Sequence, residues 1–557
     1  MRFRAQAALV VVAALALAGC GGIPTSGPVQ SGAIIDEDLT PDFGFLPPGP
    51  QPGATPTEIV SGFVQAATNP QDDYAVARQF LSGDVASDWE PNEITQIRAG
   101  SVTPRDNGDN TFTMTFSSSA YVDATGRYIE EAQSTQALGF TVEQDEDGEW
   151  RIVAAPNGIV LSAESFTTIF EKHALHYYYG TGFEFLVPDV RWFPRSSLLP
   201  TSLVRALLAG QSGWLGSGVT STEFPTGTTL TARVGIDAGV ATVELSEEAT
   251  SADTISRIRM RDQLAATLEV STVRITVNGV ELEIPEADVP PVTEPTVQGQ
   301  LLALGEDGFG YVGANGTITP LDGIGEKVVD LGGVAATLAP DRDFAAVLAA
   351  DGAVYRVTPG AASSLIVDQR PGLSAPATDA QGFVWSIPSG DASAIRAVDS
   401  AGRQYTVANS IPAGTRLSGF ALSRDGSRIA LYVSTDSGTD VLVHGILRNG
   451  GVPTQLGESF GSLRIDQSLI PRDVAWVDSR TIAVLAAQEG TGTATVTAYE
   501  LGGPSEAIGR VPGGVSIVGG NSGTDGLRVM AASGEVYRPR GSGWSSTTSV
   551  SFIATQQ

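Results

Sequence analysis

The first third of the chain changes from helical to strand-like spacing of apolar residues. Thr55-Pro56-Thr57-Glu58 is a capping-box sequence with proline at the first helical position. Helical spacing then predicts helices from residue 57, over 73–81 and over 92–98. A period of two follows, and it predicts the strands 111–117, 120–123, 137–143 and 150–153. We therefore expect an α+β domain over 57–163.

A second mixture of the two periods fills residues 164–285. Helical patterns predict helices over 200–209 and 253–268, and apolar runs predict strands over 174–179 and 183–192. Two hairpins are expected where Asp237-Ala238-Gly239 and Asn278-Gly279 interrupt alternating segments. This region therefore reads as a second α+β domain.

Beyond a Pro- and acid-rich linker at 286–297, a turn followed by a short apolar strand recurs. The aspartates that mark these turns are Asp341, Asp379, Asp425, Asp478 and Asp525. Their spacings of 38, 46, 53 and 47 residues fit the blade length of a β-propeller. Residues 298–557 are therefore predicted to form an all-β propeller of five to six blades.

The N-terminus has the pattern of a secretory signal. Arg2 and Arg4 precede an apolar run over 5–18, which is too short to span a bilayer of about 30 Å. Leu17-Ala18-Gly19-Cys20 resembles the bacterial lipobox, which implies a signal peptide over 1–19, cleavage between Gly19 and Cys20, and S-diacylglycerol and N-palmitoyl groups on Cys20. The alternative is a buried structural cysteine behind an uncleaved anchor. Residues 20–56 are expected to be a lipidated, Pro-rich tether.

The net charge excludes some classes of binding partner, and the cysteine content excludes an intrachain disulfide. The chain has 33 basic and 62 acidic residues, a net charge of −29, and loss of Arg2 and Arg4 with the signal makes it −31. A protein so acidic lacks the basic surface that nucleic acid requires, and it does not lie flat on anionic lipid. Cys20 is the only cysteine, so no intrachain disulfide can form.

Four motifs suggest chemistry, and each has a simpler explanation. The GxGxxG sequence at 308–313 precedes a turn rather than a helix, so it does not fit a dinucleotide site. The GxSxG sequence around Ser459 has no histidine downstream. His173 and His176 lack the further ligands of a metal site, and the acidic run 143–148 lacks the twelfth-position glutamate of an EF-hand. We predict no catalytic residue, cofactor or metal, although carboxylate pairs remain an open possibility.

Several regions also resemble known families. Helices followed by a meandering sheet resemble the cone-shaped NTF2-like fold. The blocks at 206–210, 225–228, 239–246 and 277–279 resemble, in order, the signatures of the GerMN domain, an accessory module without established catalytic residues. Leu422-Ser423-Arg424-Asp425-Gly426 resembles the turn of TolB-type propellers.

The whole order of parts resembles the actinobacterial LpqB lipoprotein family. That resemblance implies a non-enzymatic accessory of the MtrA/MtrB two-component system, anchored at the extracytoplasmic face of the cell membrane. Its partner would be the extracytoplasmic domain of an MtrB-like sensor histidine kinase, contacted through the propeller or the GerMN-like domain. The alternative function is an envelope small-ligand or glycan binder, or a cryptic hydrolase, that uses the propeller channel or the NTF2-like cone.

Overall fold

The computed structural model describes residues 47–557 apart from residues 180, 181, 217, 288, 437, 464 and 542. The predicted signal peptide, the predicted lipobox and most of the predicted tether therefore lie outside the described residues. The rest belongs to one compact unit.

The first α+β region packs short helices against a curved sheet. Its helices are α1 (Pro56–Ala66), α2 (Ala75–Arg78) and α3 (Val85–Asp88). Its strands are β1 (Ile94–Ala99), β2 (Arg105–Gly108), β3 (Thr111–Asp123), β4 (Tyr128–Gln144), β5 (Trp150–Ala154) and β6 (Ile159–Ser162). The sheet order is β5-β4-β3-β1-β6, with β2 beside β3, and β6 runs parallel to β1. The capping box at α1 is confirmed, because Thr55 accepts from the Glu58 amide and Glu58 accepts from the Thr55 amide.

Two helix predictions in this region need correction. The helix predicted over 92–98 is wrong, because Ile94–Ala99 is a central strand between β3 and β6. Its β-branched side chains suit a pleated surface, and two ladders outweigh a weak helical pattern. The helix predicted over 73–81 is limited to Ala75–Arg78, because Asp73 and Tyr74 before it have φ of 57° and 58°, outside the right-handed helical region.

The second α+β region contains two sheets and three helices. The helices are α4 (Ala163–Ile169), α5 (Leu199–Ala209) and α6 (Thr254–Leu268), and 3-10 turns occur at Gly213–Leu215 and Glu247–Ser251. The strands are β7 (Phe170–Tyr179), β8 (Leu186–Pro194), β9 (Thr220–Ser221), β10 (Gly235–Asp237), β11 (Val240–Leu245), β12 (Thr272–Val277) and β13 (Val280–Glu281). They form the sheets β8-β7-β9 and β10-β11-β12-β13. The two helices and both hairpin turns predicted here are confirmed.

The C-terminal half is almost entirely β, as in a propeller. Its first strands are β14 (Leu302–Gly305), β15 (Gly308–Val312), β16 (Ile318–Pro320), β17 (Ala335–Leu338), β18 (Ala345–Leu348), β19 (Val354–Val357), β20 (Leu365–Asp368), β21 (Ala377–Thr378), β22 (Val384–Ser386), β23 (Arg396–Val398), β24 (Gln404–Thr406) and β25 (Arg416–Leu422). The remaining strands are β26 (Arg428–Thr435), β27 (Gly438–Asn449), β28 (Val452–Leu463), β29 (Leu469–Trp476), β30 (Thr481–Gln488), β31 (Thr493–Glu500), β32 (Ser505–Pro512), β33 (Gly514–Val518), β34 (Arg528–Ala531), β35 (Glu535–Arg540), β36 (Gly543–Ser549) and β37 (Phe552–Gln556). A short helix α7 (Gly325–Asp330) and a 3-10 turn at Gly523–Gly526 are also present.

These strands form antiparallel sheets in chain order. One sheet has the order β16-β15-β14-β37-β17-β18-β19-β20, and four four-stranded sheets follow, from β21–β24 to β33–β36. The last strand, β37, pairs antiparallel with β14 and parallel with β17. The end of the chain therefore pairs with the beginning of this region.

The predicted repeat of a turn and a short strand occurs at the same place in each four-stranded set. The apolar strands that follow the five aspartate turns are β18, β22, β26, β30 and β34, each the second strand of its set of four. In three of these turns the aspartate carboxylate accepts hydrogen bonds from backbone amides two residues on, as Asp425 does from Ser427 at 2.8 Å. The regular spacing of these aspartates therefore reflects a repeated Asx turn.

Candidate partner-binding surfaces

The residues predicted to carry the lipid, Gly19 and Cys20, lie outside the described residues. Within residues 47–557, outside the seven undescribed positions, no helix is long and apolar enough to cross a membrane.

The histidine pair is built into strand β7. His173 and His176 are an odd number of residues apart, so they face opposite sides of the strand. His176 is buried, and burial, with Arg480 adding to it, lowers its pKa to about 4. Among the described residues no cluster of three His, Cys, Asp or Glu side chains could hold a metal ion.

The GxSxG sequence lies within strand β28 and forms no strand-to-helix elbow. The ladder places His444 of β27 opposite Ser459. Their side chains have different partners: His444 Nδ1–H donates to the Gly457 carbonyl at 2.9 Å, and Ser459 Oγ donates to the Gly461 carbonyl at 3.3 Å. This geometry does not make Ser459 a nucleophile activated by His444.

The other two motifs are also parts of strands and turns. The GxGxxG sequence contains strand β15, Gly308–Val312, and no helix begins after it until Gly325. The acidic run 143–148 forms the β4–β5 hairpin, where Asp145 accepts hydrogen bonds from the amides of Asp147 and Glu149. A carboxylate that caps its own turn in this way has few lone pairs left for a metal.

A buried junction joins the second α+β region to the propeller-like region. Tyr179, Val187, Trp214, Leu215 and Val219 share one buried apolar cluster with the β26, β27, β29 and β30 strands. Trp214 packs edge-to-face on Phe460 with ring centroids 5.1 Å apart. Backbones also approach closely here, because a Cβ on Gly445 would lie 2.6 Å from a Val219 methyl carbon. The junction is therefore packed as densely as a domain core.

A buried polar network crosses the same junction. The Tyr179 hydroxyl donates to the Gly426 carbonyl at 2.7 Å and accepts from Arg448 Nε. Arg448 also forms an ion pair of 2.6 Å with Asp379, and both side chains are almost fully buried. Burial raises the pKa of the Tyr179 hydroxyl, so it remains a neutral donor. Two further contacts bridge the regions at the rim: Trp192 Nε1 donates to the Gly502 carbonyl at 2.8 Å, and Lys172 pairs with Glu500 at 2.6 Å.

The Pro-rich linker is docked on both neighbours. Val292 exchanges backbone hydrogen bonds with Glu184 and Leu186 at 2.8 and 3.0 Å. Further along, Glu294 accepts from Ser479 Oγ, and the Val297 amide donates to Asn521 Oδ1 at 2.8 Å. The linker therefore contributes to the fixed position of the second region on the sheets.

The sheets surround a channel of about 250 Å³ lined by their first strands and by β37. The ionisable residues in this lining are Arg424 and Asp473. Asp473 accepts hydrogen bonds from the amides of Val474 and Ile517 and from Ser516 Oγ, at 2.9 to 3.1 Å. Burial raises the pKa of its carboxyl to about 6, against the opposing effect of these hydrogen bonds.

A second cavity, of about 370 Å³, separates the first and second α+β regions. One wall is the β3–β4 turn at 123–126, and the other includes Phe170, Trp192 and Phe193. Arg191 also lines the cavity, where it pairs with Asp189 at 2.8 Å and donates to the Thr125 carbonyl at 3.1 Å. The first region is thus also joined to the second by buried contacts.

Models of known families match three successive parts of the chain. "Lipoprotein LpqB, N-terminal domain" matches residues 49–167, "Sporulation and spore germination" matches 176–283, and "Lipoprotein LpqB beta-propeller domain" matches 312–552. A Lipoprotein LpqB of Streptomyces coelicolor is 28% identical over 489 residues, which cover 78% of each chain. The chain belongs to the LpqB lipoprotein family.

Other relatives of the LpqB family align over shorter segments. The Lipoprotein LpqB of Cutibacterium acnes is 31% identical over 285 residues, covering 50% of this chain and 48% of the relative, so the matched part spans about half of that protein. A solved structure, the β-propeller domain of Cps50 (Swd1) from Myceliophthora, covers 35% of this chain at 13% identity with a TM-score of 0.28. Membership in the LpqB family implies a membrane-anchored lipoprotein, and the family descriptions name a propeller domain and no enzyme.

Sequence reasoning missed the residues that build the LpqB-family junction. Tyr179, Asp379 and Arg448 lie far apart in the sequence: Tyr179 ends a predicted strand, Asp379 marks a predicted turn, and Arg448 lies in no predicted element. Only Asp379 belonged to a recognised pattern, the repeated turn. A charged residue directly after apolar ones, such as Arg448 after Ile446 and Leu447, is the signal that could have suggested a buried partner.

Proposed function

We propose that this LpqB-family lipoprotein is anchored through Cys20 at the extracytoplasmic face of the membrane and binds the sensor domain of an MtrB-like histidine kinase. Binding modulates kinase signalling in envelope and division control. The observation that carries the proposal is the buried junction, because it makes the second region and the propeller one preformed surface. A rigid surface loses little conformational entropy when a partner docks.

The architecture that we propose for this surface has three parts. Residues 57–163 form an NTF2-like domain, 164–285 a GerMN domain, and 298–557 a six-bladed propeller. The order of strands supports six blades, since β17–β36 supply five sets of four and β14–β16 are completed by β37. Closure of a first blade by the last strand removes the exposed edges of an open ring.

The anchor and the tether support a membrane-bound partner. A lipidated Cys20 confines the chain to the plane in which a receptor kinase lies, so the effective concentration at the kinase is high and a modest affinity suffices. The acidic body does not adhere to anionic lipid, so its faces stay free to dock.

Photo-crosslinking in membranes tests the kinase proposal. A photoreactive residue is placed, in separate lipidated full-length chains, at exposed sites in the three regions: Asp109, Thr242 and Ser546. We expect crosslinks to the kinase sensor domain from Thr242 or Ser546 and not from Asp109. Truncation is unsuitable, because removing either partner of the junction would expose its apolar cluster.

A Cys20→Ala chain is the control for anchoring, and we expect it to crosslink far less at the same expression level. Crosslinks confined to wall glycans or small molecules would contradict the proposal and favour the alternative of an envelope ligand binder. Crosslinks to the kinase from Asp109 alone would contradict the assignment of the surface.

A further inference from the structure

An open groove of about 820 Å³ borders strand β12 in the second α+β region. Helix α6 contributes Arg261, Asp262 and Ala265 to one wall. Residues 271–275 form the floor, and the segment 281–287 after β13 forms the other wall. We refer to this space as the β12 groove.

The floor of the groove is the incompletely paired edge of a sheet. Strand β13 pairs only with Thr276 and Val277 of β12, and the Leu282 amide then donates to the Ile275 carbonyl at 2.8 Å. After Leu282 the chain leaves β12, and Arg261 holds it away by donating to the Pro285 carbonyl at 2.9 Å. Strand β11 pairs with β12 along its whole length on the opposite side.

The alternation of a strand shows which groups face the groove. Backbone N–H and C=O groups of residues two apart point to the same side of a strand. Because the Ile275 carbonyl points toward the β13 side, the N–H and C=O of Val273 point the same way, where β13 no longer pairs with β12. The β12 groove therefore presents a strand edge ready to accept another strand.

The charges on the walls define the occupant. Asp262, Glu281, Glu283 and Glu286 line the groove, whereas Arg261 is engaged with Asp262 at 3.0 Å and with the Pro285 carbonyl. Only Arg274 adds a further positive charge. Leu282 and Ile284, which are only partly buried, supply apolar surface between the carboxylates. An extended segment that alternates basic and apolar residues complements this lining.

The chain's own tether does not have that chemistry. Residues 21–46 contain Asp36, Glu37, Asp38 and Asp42 and no Lys or Arg. An acidic segment would be repelled by the carboxylates of the groove. The occupant is therefore expected to come from another protein.

We propose that the β12 groove binds a basic, extended segment of a partner protein by β-strand addition. The backbone of the segment pairs with Val273, and its Lys or Arg side chains meet the wall carboxylates. This site does not depend on the identity of the kinase.

Fluorescence anisotropy with the full chain tests the groove. The probe is a labelled peptide of about seven residues that alternates Lys and Val, which spans about 23 Å as a strand. We expect saturable binding that is lost when Glu replaces Lys. A peptide with the same charges but N-methylated backbone amides should also lose binding, because it cannot pair with an edge strand.

Matched variants distinguish binding of the peptide in the groove from nonspecific attraction to the negative net charge of the chain. The double variant Glu281→Lys/Glu283→Lys is expected to weaken binding by roughly tenfold. Glu306→Lys/Glu326→Lys, which makes the same charge change at exposed propeller sites, should leave it unchanged.

Three results would overturn the proposal. One is no saturable binding of the Lys–Val peptide. Another is equal weakening by both double variants, which would indicate attraction to net charge alone. The third is full binding of the N-methylated peptide, which would exclude strand addition. None of these results bears on whether the kinase is crosslinked from Ser546.

Discussion

Two buried aspartates of the propeller region differ in what balances their charge. Asp368 pairs with Arg370 at 2.6 Å and accepts from Ser386 Oγ at 2.7 Å. Burial raises the pKa of Asp368, but these partners outweigh burial and the pKa lies below its usual value. Asp473 has hydrogen-bond donors but, among the described residues, no paired cation, so burial dominates and its pKa is raised to about 6.

This difference predicts how stability responds to pH at Asp473. The folded pKa lies above the unfolded value of 3.8, so the folded state keeps the proton that the unfolded state loses. The contribution of Asp473 to the free energy of unfolding therefore falls as pH rises through about 4 to 6, by roughly 3 kcal/mol in all, and stays lower above that range. We expect the Asn variant Asp473→Asn to lack this loss, so its stability relative to the unmodified chain should rise between about pH 4 and pH 6 and then stay constant.

Urea unfolding midpoints across this pH range provide the measurement. Asp399→Asn is the control. Burial raises the pKa of Asp399, but hydrogen bonds from Arg403 and Ala401 outweigh burial and hold the pKa below its usual value. The change in stability caused by Asp399→Asn therefore varies with pH only below this pH range. A constant difference between Asp473→Asn and the unmodified chain would contradict the prediction.

At the scale of elements, closure of the propeller-like region depends on β37. This strand lies between β14 and β17, and Phe552 packs against Phe309 with ring centroids 5.9 Å apart. The buried C-terminal Gln557 also donates its side-chain amide to the carbonyls of Leu422 and Ser423. The last residues of the chain thus join distant sheets.

We predict that deleting residues 552–557 opens this closure. The loss of Phe552 alone is expected to lower the free energy of unfolding by about 3–5 kcal/mol, and the unpaired edges of β14 and β17 add to that loss. Thermal unfolding and limited proteolysis measure the effect. Ser549→Ala, an exposed position in β36, is the matched control and should behave like the unmodified chain. Unchanged protease resistance of the deleted form would contradict the prediction.

At the scale of the whole molecule, Arg448 couples two regions through Asp379 and Tyr179. Replacing it with Met leaves the Asp379 carboxylate buried without its cation. We expect Arg448→Met to lower the free energy of unfolding by about 3–5 kcal/mol. We also expect the second region to unfold separately from the propeller, because the network across the junction is broken.

Differential scanning calorimetry distinguishes one coupled transition from two. Arg403→Met removes a solvent-exposed cation from its pair with the partly buried Asp399, and solvent screens a pair in which one partner is exposed, so the pair contributes little to stability. This control should retain the single transition. A single transition at an unchanged temperature in Arg448→Met would show that Arg448 does not couple the regions.

The sequence determined the parts of this protein that depend on neighbours in the chain. Capping at Thr55, the turns at Asn278-Gly279 and the Asx turns of the propeller require only a few adjacent residues, so their signals are local. The order of the family signatures was equally readable, and it identified the LpqB family before any coordinates. The lipid on Cys20 remains a prediction from its lipobox.

Tertiary structure decided everything that depends on contacts between distant residues. Ile94–Ala99 became a strand because β3 and β6 offered it two ladders, against a helical pattern. The linker docked because Ser479 and Asn521, nearly two hundred or more residues away, offered partners. The junction formed in the same way, because Tyr179, Asp379 and Arg448, which are distant in the sequence, contact each other only in the folded chain. A local pattern fixes which element can form, but burial of charge and apolar surface against a remote partner determines where it is placed.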